Sequence, residues 1–247
     1  MTTTSTATTP DPITVEVIRS FYQSTARQMR NILVRSSFNP VIYEMIDFSL
    51  GLYNREAELI AEGPGIPLFM GTLTFTIRHV VDYLGEENIE DGDVLLSTYP
   101  YWTGAHSQDA VIIQPIFVDG RIFGYAASKA HWIDLGAKDV YGMDTTDIWQ
   151  EGLQLYGVKV VKRGKLDNEI VEIIRANTRL PDAVVGDLTG QIAASSLGTR
   201  RVIDLVQKYG KDVVTASITR MLDQGEAIAR QAIAEIGDGE WFGEAAL

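Results

Sequence analysis

A single tight turn constrains this chain more than any other feature of its sequence. Asp119-Gly120 lies between two apolar segments, residues 110–117 and 122–127. Asp-Gly between apolar runs is typical of a two-residue β-hairpin loop, because both central residues of that turn need positive φ. The loop predicts a register in which Val118 pairs with Arg121 and every later pair follows in step.

The predicted register brings two of the three histidines to the open end of the hairpin. It places His131 opposite Gln108, and His106 lies two residues further along the first strand. Residues two apart on a strand share a face, so the imidazoles lie diagonally, with about 7–8 Å between their backbones. Imidazoles at that separation can bind one metal ion. Asp109 has the wrong parity for this face unless residues 104–108 form a loop or carry a bulge.

We predict a mixed α/β (α+β) fold around this hairpin, with a sheet at the front and a helical C-terminal tail. Asp11-Pro12 begins an amphipathic helix that ends near Ser36, because aspartate is a favoured N-cap and proline a favoured first helical residue. Alternation around Phe48 predicts a half-buried strand. After Asp167 the apolar spacing is helical as far as Ile236.

The terminal residues and the net charge of the chain indicate its compartment and exclude some classes of partner. Residues 1–10 are rich in threonine and predict a disordered leader, and we expect residues 11–247 to form a single domain. The leader lacks the basic and apolar regions of a secretory signal, so we expect a cytoplasmic protein. A formal net charge of −12 repels phosphates, so we expect neither nucleic acid nor a membrane as a partner.

The absence of cysteine restricts any metal site to histidine, aspartate and glutamate ligands. Asp134 follows the second hairpin strand and is a candidate ligand, or a carboxylate that fixes an imidazole tautomer. Alternation alone points Asp47 toward solvent. The alternative is that the two histidines are unrelated surface or core residues and that the aspartates are loop or cap residues.

Four aromatic residues bracket the two histidines in the sequence: Tyr99, Tyr101, Trp102 and Trp132. Such residues pack in a core or line an apolar substrate pocket, and both interpretations stay open. The glycines match neither GxxxxGK[ST] nor GxGxxG, so we expect no nucleotide site on this chain.

The C-terminal residues suggest that the chain does not act alone. Residues 237–239 form a turn signal, and Trp241-Phe242 follows it. This segment is either a short terminal strand or the start of polypeptide that continues beyond a fragment, and we favour the second interpretation. The apolar stripe of the last helix and a strand edge at Trp241 predict association with another polypeptide.

Several segments, taken in order, resemble the hydantoinase B/5-oxoprolinase family. They include Asp-Pro-Ile-Thr-Val-Glu-Val-Ile at residues 11–18, Gly-Ala-His-Ser-Gln-Asp at 104–109 and Ala-His-Trp-Ile-Asp-Leu-Gly at 130–136. Residues 47–49, 148–153, 176–179 and 186–194 also match. The family includes the B subunits of ATP-dependent hydantoinases and the large subunits of acetone and acetophenone carboxylases.

The resemblance implies a divalent metal, zinc or manganese, held by His106, Asp109 and His131 with Asp47 as a further ligand. It also implies a hydantoinase A-like ATPase partner that uses ATP and magnesium to phosphorylate the carbonyl oxygen of a small substrate. Members of the family are usually much longer than this chain. A separate chain that supplies the C-terminal half of the fold is therefore a further expected partner.

The resemblance leaves the reaction open between three alternatives. Residues 150–152 and 177–179 favour hydrolysis of a cyclic amide such as a hydantoin or oxoproline. Residues 104–109 and 134–136 favour a ketone carboxylase subunit instead. The third alternative is a non-catalytic scaffolding subunit. Trp132 stands where the family commonly has a second histidine, and this departure leaves the substrate open.

Overall fold

The computed structural model describes residues 10–140 and 144–245, so most of the predicted leader lies outside the described residues. The helices of the described chain are α1 (Pro12–Ser36), α2 (Pro40–Tyr43), α3 (Pro67–Leu84), α4 (Pro100–Thr103), α5 (Asn168–Ala176), α6 (Pro181–Tyr209) and α7 (Lys211–Ile236). The strands are β1 (Phe48–Asn54), β2 (Leu59–Gly63), β3 (Val94–Ser97), β4 (Asp109–Val118), β5 (Arg121–His131), β6 (Val158–Lys162) and β7 (Lys165–Leu166). Short 3-10 turns cover Glu86–Asn88 and Ile148–Glu151.

The strands form an antiparallel sheet in the order β2-β1-β5-β4-β3-β6-β7. Helices α1, α5 and α6 and the first half of α7 pack on one face of this sheet. Helix α3 packs on the other face. The predicted mixed α/β fold, with a sheet in front of a helical C-terminal part, is therefore confirmed.

The central strands are buried on both faces, which the alternating pattern did not predict for β1. Leu50 and Leu52 face the α1 and α6 side, whereas Tyr53 faces α3. The first six residues of β1 are all buried. The prediction of a half-buried strand is therefore wrong, because α3 covers the face that we expected to meet solvent.

Helix α1 begins where the sequence predicts. The Asp11 carboxylate accepts hydrogen bonds from the backbone N–H groups of Ile13 and Thr14, at 3.0 and 3.1 Å. Pro12 occupies the first turn, and the helix ends at Ser36. A carboxylate that satisfies two otherwise unpaired N–H groups stabilises the start of a helix.

The β4–β5 turn forms as predicted, but the register changes three residues beyond it. Asp119-Gly120 has φ values of 52° and 72°, and Val118 pairs with Arg121. A bulge then shifts the pairing, so that Ile116 lies opposite Gly124. The predicted pairing of His131 with Gln108 is therefore wrong. An extra residue in one strand changes the partner of every residue beyond it.

The chain after α7 forms no strand within the described residues, which end at residue 245. The prediction of a strand edge at Trp241 is therefore wrong for the described residues. Trp241 and Phe242 are nonetheless 75% and 93% exposed. The residues of α7 from 223 onward are also exposed, and Ile228, Ile233 and Ile236 are among them.

Candidate metal centre

The shifted register places three polar residues in one row across the sheet. Asp109 lies directly opposite His131 in the β4–β5 pairing. On the other side of His131, its backbone N–H donates to the carbonyl of Asp47 at 3.1 Å, just before β1 begins. Directly opposed residues share a face of the sheet. The row Asp47, His131 and Asp109 therefore lies on the face that α3 covers.

His106 reaches this row from a loop and not from a strand. Helix α4 ends at Thr103 and is followed by Gly104, which has φ 73°, and the chain then runs without regular structure to β4. The sequence predicted that Asp109 could meet His106 only if residues 104–108 formed a loop or carried a bulge. The structure contains this loop, while the bulge lies further along, next to the turn.

Both imidazoles converge on the same carboxylate oxygen. Oδ1 of Asp109 lies 3.3 Å from Nε2 of His106 and 3.2 Å from Nδ1 of His131. The centroids of the two imidazole rings are 4.8 Å apart. One ligand atom from each of the three residues lies within 4.8 Å of the others, close enough to hold one metal ion. Asp109 and His131 are buried, and His106 is half-exposed.

The ionisation of this cluster reflects its close contacts. Burial raises the pKa of Asp109, but the hydrogen bonds from His106 and His131 outweigh that effect and lower the pKa to about 2. Burial lowers the pKa of His106, but contacts with Asp109, Gln108 and Glu151 together raise it above its ordinary value. His106 also donates from Nδ1 to Oε1 of Gln108 at 2.7 Å. That hydrogen bond leaves Nε2 directed at Asp109.

Asp47 lies beside the cluster, and its carboxylate is not one of the three converging groups. Burial raises the pKa of Asp47, and the nearby Asp109 carboxylate raises it further. Its Oδ1 is buried without a hydrogen-bond partner in the described chain. The solvent-facing expectation for Asp47 is therefore wrong for this oxygen, while the residue as a whole is half-buried. A buried carboxylate oxygen without a donor is suited to a cation.

Lys129 is a polar residue of the site that the sequence analysis missed. It lies two residues before His131 on β5, so both side chains are on the same face, and its side chain is fully buried. Burial lowers the pKa of Lys129 to about 8, although Asp109 and Asp47 oppose the shift. One sequence signal could have identified Lys129. It is a single lysine among small residues, and it lies two positions before His131, so it shares the face of His131.

The end of β5 is held from the opposite face by a chain of hydrogen bonds. The side-chain amide of Asn39 donates to the carbonyl of His131 at 2.7 Å. Asp187 on α6 accepts from the backbone N–H groups of Phe38 and Asn39 at 2.7 and 3.3 Å. Burial raises the pKa of Asp187 to about 6, and the two N–H groups oppose the shift. Helix α6 thus helps to fix the backbone of His131.

Asp134 does not join the cluster. Its buried carboxylate accepts hydrogen bonds from the backbone N–H of Gly136 and from the backbone N–H of Arg179, at 3.1 and 2.6 Å. The hydroxyl of Thr178 also donates to it at 3.2 Å. These contacts tie the loop after β5 to the segment before α6. Protein donors therefore occupy the carboxylate for which the sequence predicted a metal or imidazole contact.

A cavity of about 410 Å³ opens beside His106. Its walls come from α4, the following loop and the segment that leads into the second 3-10 turn, namely Pro100, Tyr101, Ala105, His106, Thr145, Thr146, Asp147, Ile148 and Glu151. Glu151 accepts a hydrogen bond from the hydroxyl of Thr145 at 2.6 Å. Of the four aromatic residues predicted to line a pocket, Tyr101 is the one that does so here.

The other three predicted pocket residues lie elsewhere. Trp132 is fully buried on the opposite face of the sheet, and its indole N–H donates to Gln191 at 2.7 Å. Tyr99 and Trp102 pack in tilted and edge-on contacts with Tyr156, with ring centroids 4.3 to 5.5 Å apart, and Tyr99 also lies 5.5 Å from the ring of Tyr101 in the cavity wall. Successive residues on a strand point to opposite faces, so Trp132 cannot share the face of His131.

The donor set fits a divalent transition metal. Two imidazole nitrogens and one or two carboxylate oxygens are ligands that zinc and manganese accept. The unpartnered Oδ1 of Asp47 beside the converging group supports a fourth ligand from this row. His106, Asp109, His131 and Asp47 are therefore the residues that would hold the ion.

The family model described as hydantoinase B/oxoprolinase matches residues 11–247. The chain belongs to this family. An uncharacterised protein from Methanocaldococcus jannaschii is 36% identical over 230 residues, which cover 92% of this chain and 41% of that protein. The chain thus spans about two fifths of the length of this relative.

Solved structures agree with the family assignment. The crystal structure of the ATP-dependent caprolactamase from Pseudomonas jessenii matches with a TM-score of 0.88 and 30% identity, over 97% of this chain and 42% of that chain. A nucleotide-free acetone carboxylase matches with a TM-score of 0.76 and 20% identity, over 83% and 28% of the two chains, and so shares the fold. In the described part of this chain, none of the helices is long and apolar enough to cross a membrane.

Proposed function

We propose that this chain is the metal-binding part of an ATP-dependent enzyme that hydrolyses a cyclic amide. The observation that carries the proposal is the convergence of His106, Asp109 and His131, with Asp47 alongside, next to an open cavity. Similarity to an ATP-dependent caprolactamase over nearly the whole chain supports this class of reaction.

His106, Asp109, His131 and Asp47 would hold a divalent cation, which would supply Lewis-acid chemistry toward a substrate carbonyl. The protein groups around it orient the substrate. Tyr101, Thr145 and Thr146 carry hydroxyls that can hydrogen-bond a polar ring in the cavity. Glu151 is the carboxylate of the cavity that acts electrostatically on His106, and it is placed to accept a proton there. In the overall reaction water adds to the carbonyl carbon, the C–N bond breaks and the ring nitrogen gains a proton.

The ATP-dependent step belongs to a partner in this proposal. The sequence contains neither of the two glycine-rich phosphate-binding motifs. A hydantoinase A-like ATPase subunit would transfer a phosphoryl group from ATP to the carbonyl oxygen of the substrate and leave ADP. The metal-binding chain would act on the activated compound, and the phosphoryl group would be released as inorganic phosphate when the ring is hydrolysed. A second polypeptide, equivalent to the rest of the longer relatives, would pack on the exposed end of α7.

Reconstitution tests this assignment. The chain is co-expressed with a hydantoinase A-like subunit, and cyclic amides such as hydantoin, 5-oxoproline and caprolactam are offered with ATP. We expect amide-dependent release of phosphate together with ring opening. Consumption of a ketone that requires bicarbonate would instead identify a carboxylase. A complex without metal and without either reaction would identify a scaffolding subunit.

A further inference from the structure

Lys129 is a buried cation in the middle of the sheet. It pairs with Ser49 on β1 and with Val111 on β4, and the row that contains it adjoins the row of His131 and Asp109. A buried ammonium lowers the stability of a fold unless hydrogen bonds satisfy it, so its contacts indicate what it does.

The ammonium group of Lys129 contacts α3 and α4. Nζ donates to the carbonyl of Thr103 at 2.8 Å and to the hydroxyl of Thr72 at 3.3 Å. It also lies 4.1 Å from the centre of the Phe69 ring. Thr103 is the last residue of α4, where helix carbonyls lack partners within the helix. Lys129 therefore fastens the end of α4 to the centre of the sheet.

The fastened residue is close to His106 along the chain. Gly104 follows Thr103 in the left-handed conformation, with φ 73°. A Cβ at Gly104 would lie 2.7 Å from Cγ2 of Thr72, the same residue that accepts from Lys129. The turn is thus held by Lys129 on one side and packed against Thr72 on the other. It sets the direction in which the loop delivers His106.

We propose that Lys129 is a positioning residue for the metal centre. By holding the carbonyl of Thr103 it fixes the turn at Gly104, and this turn presents His106 to Asp109. The inference rests on the proposed function in one respect, which is that His106 is a metal ligand. Lys129 itself contacts the ends of α3 and α4, and it acts on the metal centre through His106.

Cobalt(II) binding to the full chain tests the proposal without a reaction. Lys129→Met is compared with the parent protein by Co(II) titration and by the visible absorption spectrum of the bound ion. We expect Co(II) affinity to fall about 10- to 100-fold, as for residues that support metal ligands. We also expect the spectrum to change, because one imidazole is lost. Lys129→Arg should recover part of the affinity.

A matched control separates positioning from general stability. Lys159 on β6 is also largely buried, and its Nζ lies 2.7 Å from Asp93, outside the metal cluster. Lys159→Met should lower the melting temperature and leave Co(II) affinity unchanged. In the His106→Ala background, Lys129→Met should have no further effect on affinity, because both changes remove the same ligand.

The outcomes distinguish the two proposals. A parent protein that does not bind Co(II) contradicts the metal centre itself. A parent that binds it, with Lys129→Met unchanged in affinity and spectrum, overturns the positioning role alone. So does an equal loss in Lys159→Met. If Lys129→Met does not fold, Gly104→Ala decides, since it disturbs the same turn at an exposed position. Parent affinity in Gly104→Ala would also overturn the proposal.

Discussion

Oδ1 of Asp109 lies 3.2 Å from Nδ1 of His131, directly across the pairing of β4 with β5. The same oxygen lies 3.3 Å from Nε2 of His106. A buried carboxylate that contacts two imidazoles has little freedom to rotate, so the three donors are arranged before any ion arrives. Preorganisation of this kind favours tight binding.

The carboxylate of Glu151 should raise the proton affinity of His106 in the metal-free protein. Glu151 is among the groups that raise the pKa of His106, and both residues line the cavity. We expect Glu151→Gln to lower the pKa of His106, measured by NMR titration of the imidazole resonances. Glu172→Gln on the exposed face of α5 is the control. A His106 pKa that stays unchanged or rises in Glu151→Gln would contradict the placement of this carboxylate.

Asp187 should make the protein less stable as the pH rises. Its pKa is about 6 in the folded state against 3.8 for an ordinary aspartate, so the penalty is absent below about pH 4 and complete above about pH 6. We expect Asp187→Asn to be more stable than the parent at pH 8, by roughly 1–3 kcal/mol in free energy of unfolding. The difference should shrink toward pH 4.

Urea unfolding at several pH values measures this effect. Asp204→Asn, at an exposed position on the same helix, is the matched control and should leave the pH profile unchanged. Equal pH profiles for the parent protein and Asp187→Asn would show that Asp187 does not hold a proton in the folded state. A loss of stability in Asp187→Asn at pH 8 would also contradict the expectation.

Much of this fold could be predicted because local signals were strong. Asp119-Gly120 identified the hairpin, and Asp11 identified the start of α1. The bulge beyond the turn could not be predicted, because the turn specifies only the pairs next to it. The bulge decides whether Asp109 meets His131.

The remaining errors concern the face of the sheet that α3 covers. Burial of Lys129 depends on contacts with α3, which lies far from it in sequence, so alternation within its own strand could not reveal it. The position of Trp132, in contrast, could have been predicted from the sequence. Trp132 directly follows His131, and adjacent residues of a strand point to opposite faces of the sheet, so the two side chains could not line the same pocket.

The isolated chain should not bind ATP. We expect no heat of binding when ATP and magnesium are titrated into the purified protein in a calorimeter, because the sequence lacks a phosphate-binding glycine loop. The complex with an ATPase subunit should bind ATP under the same conditions. Micromolar binding of ATP by the isolated chain would contradict the proposed division of labour.

The exposed end of α7 should make the chain dependent on another polypeptide. Ile228 and Ile236 are 69% and 64% exposed, and Trp241 is 75% exposed. Exposed apolar groups of this size favour association. We expect self-association of the isolated chain in sedimentation velocity experiments, reduced by Ile228→Glu with Trp241→Ser. Co-expression with a chain equivalent to the rest of the longer relatives should relieve it. A monomer that is soluble alone and unaffected by either change would contradict this expectation.

Metal analysis of the purified protein tests the central claim most directly. The parent protein should contain about one equivalent of a divalent transition metal, and His131→Ala and Asp109→Ala should each contain less than about a tenth of an equivalent. Asp134→Ala, whose carboxylate is occupied by protein donors, should retain the metal if it folds. A parent protein with less than about a tenth of an equivalent after growth and dialysis with zinc or manganese would contradict the metal centre. Parent-like metal content in His131→Ala would contradict it equally.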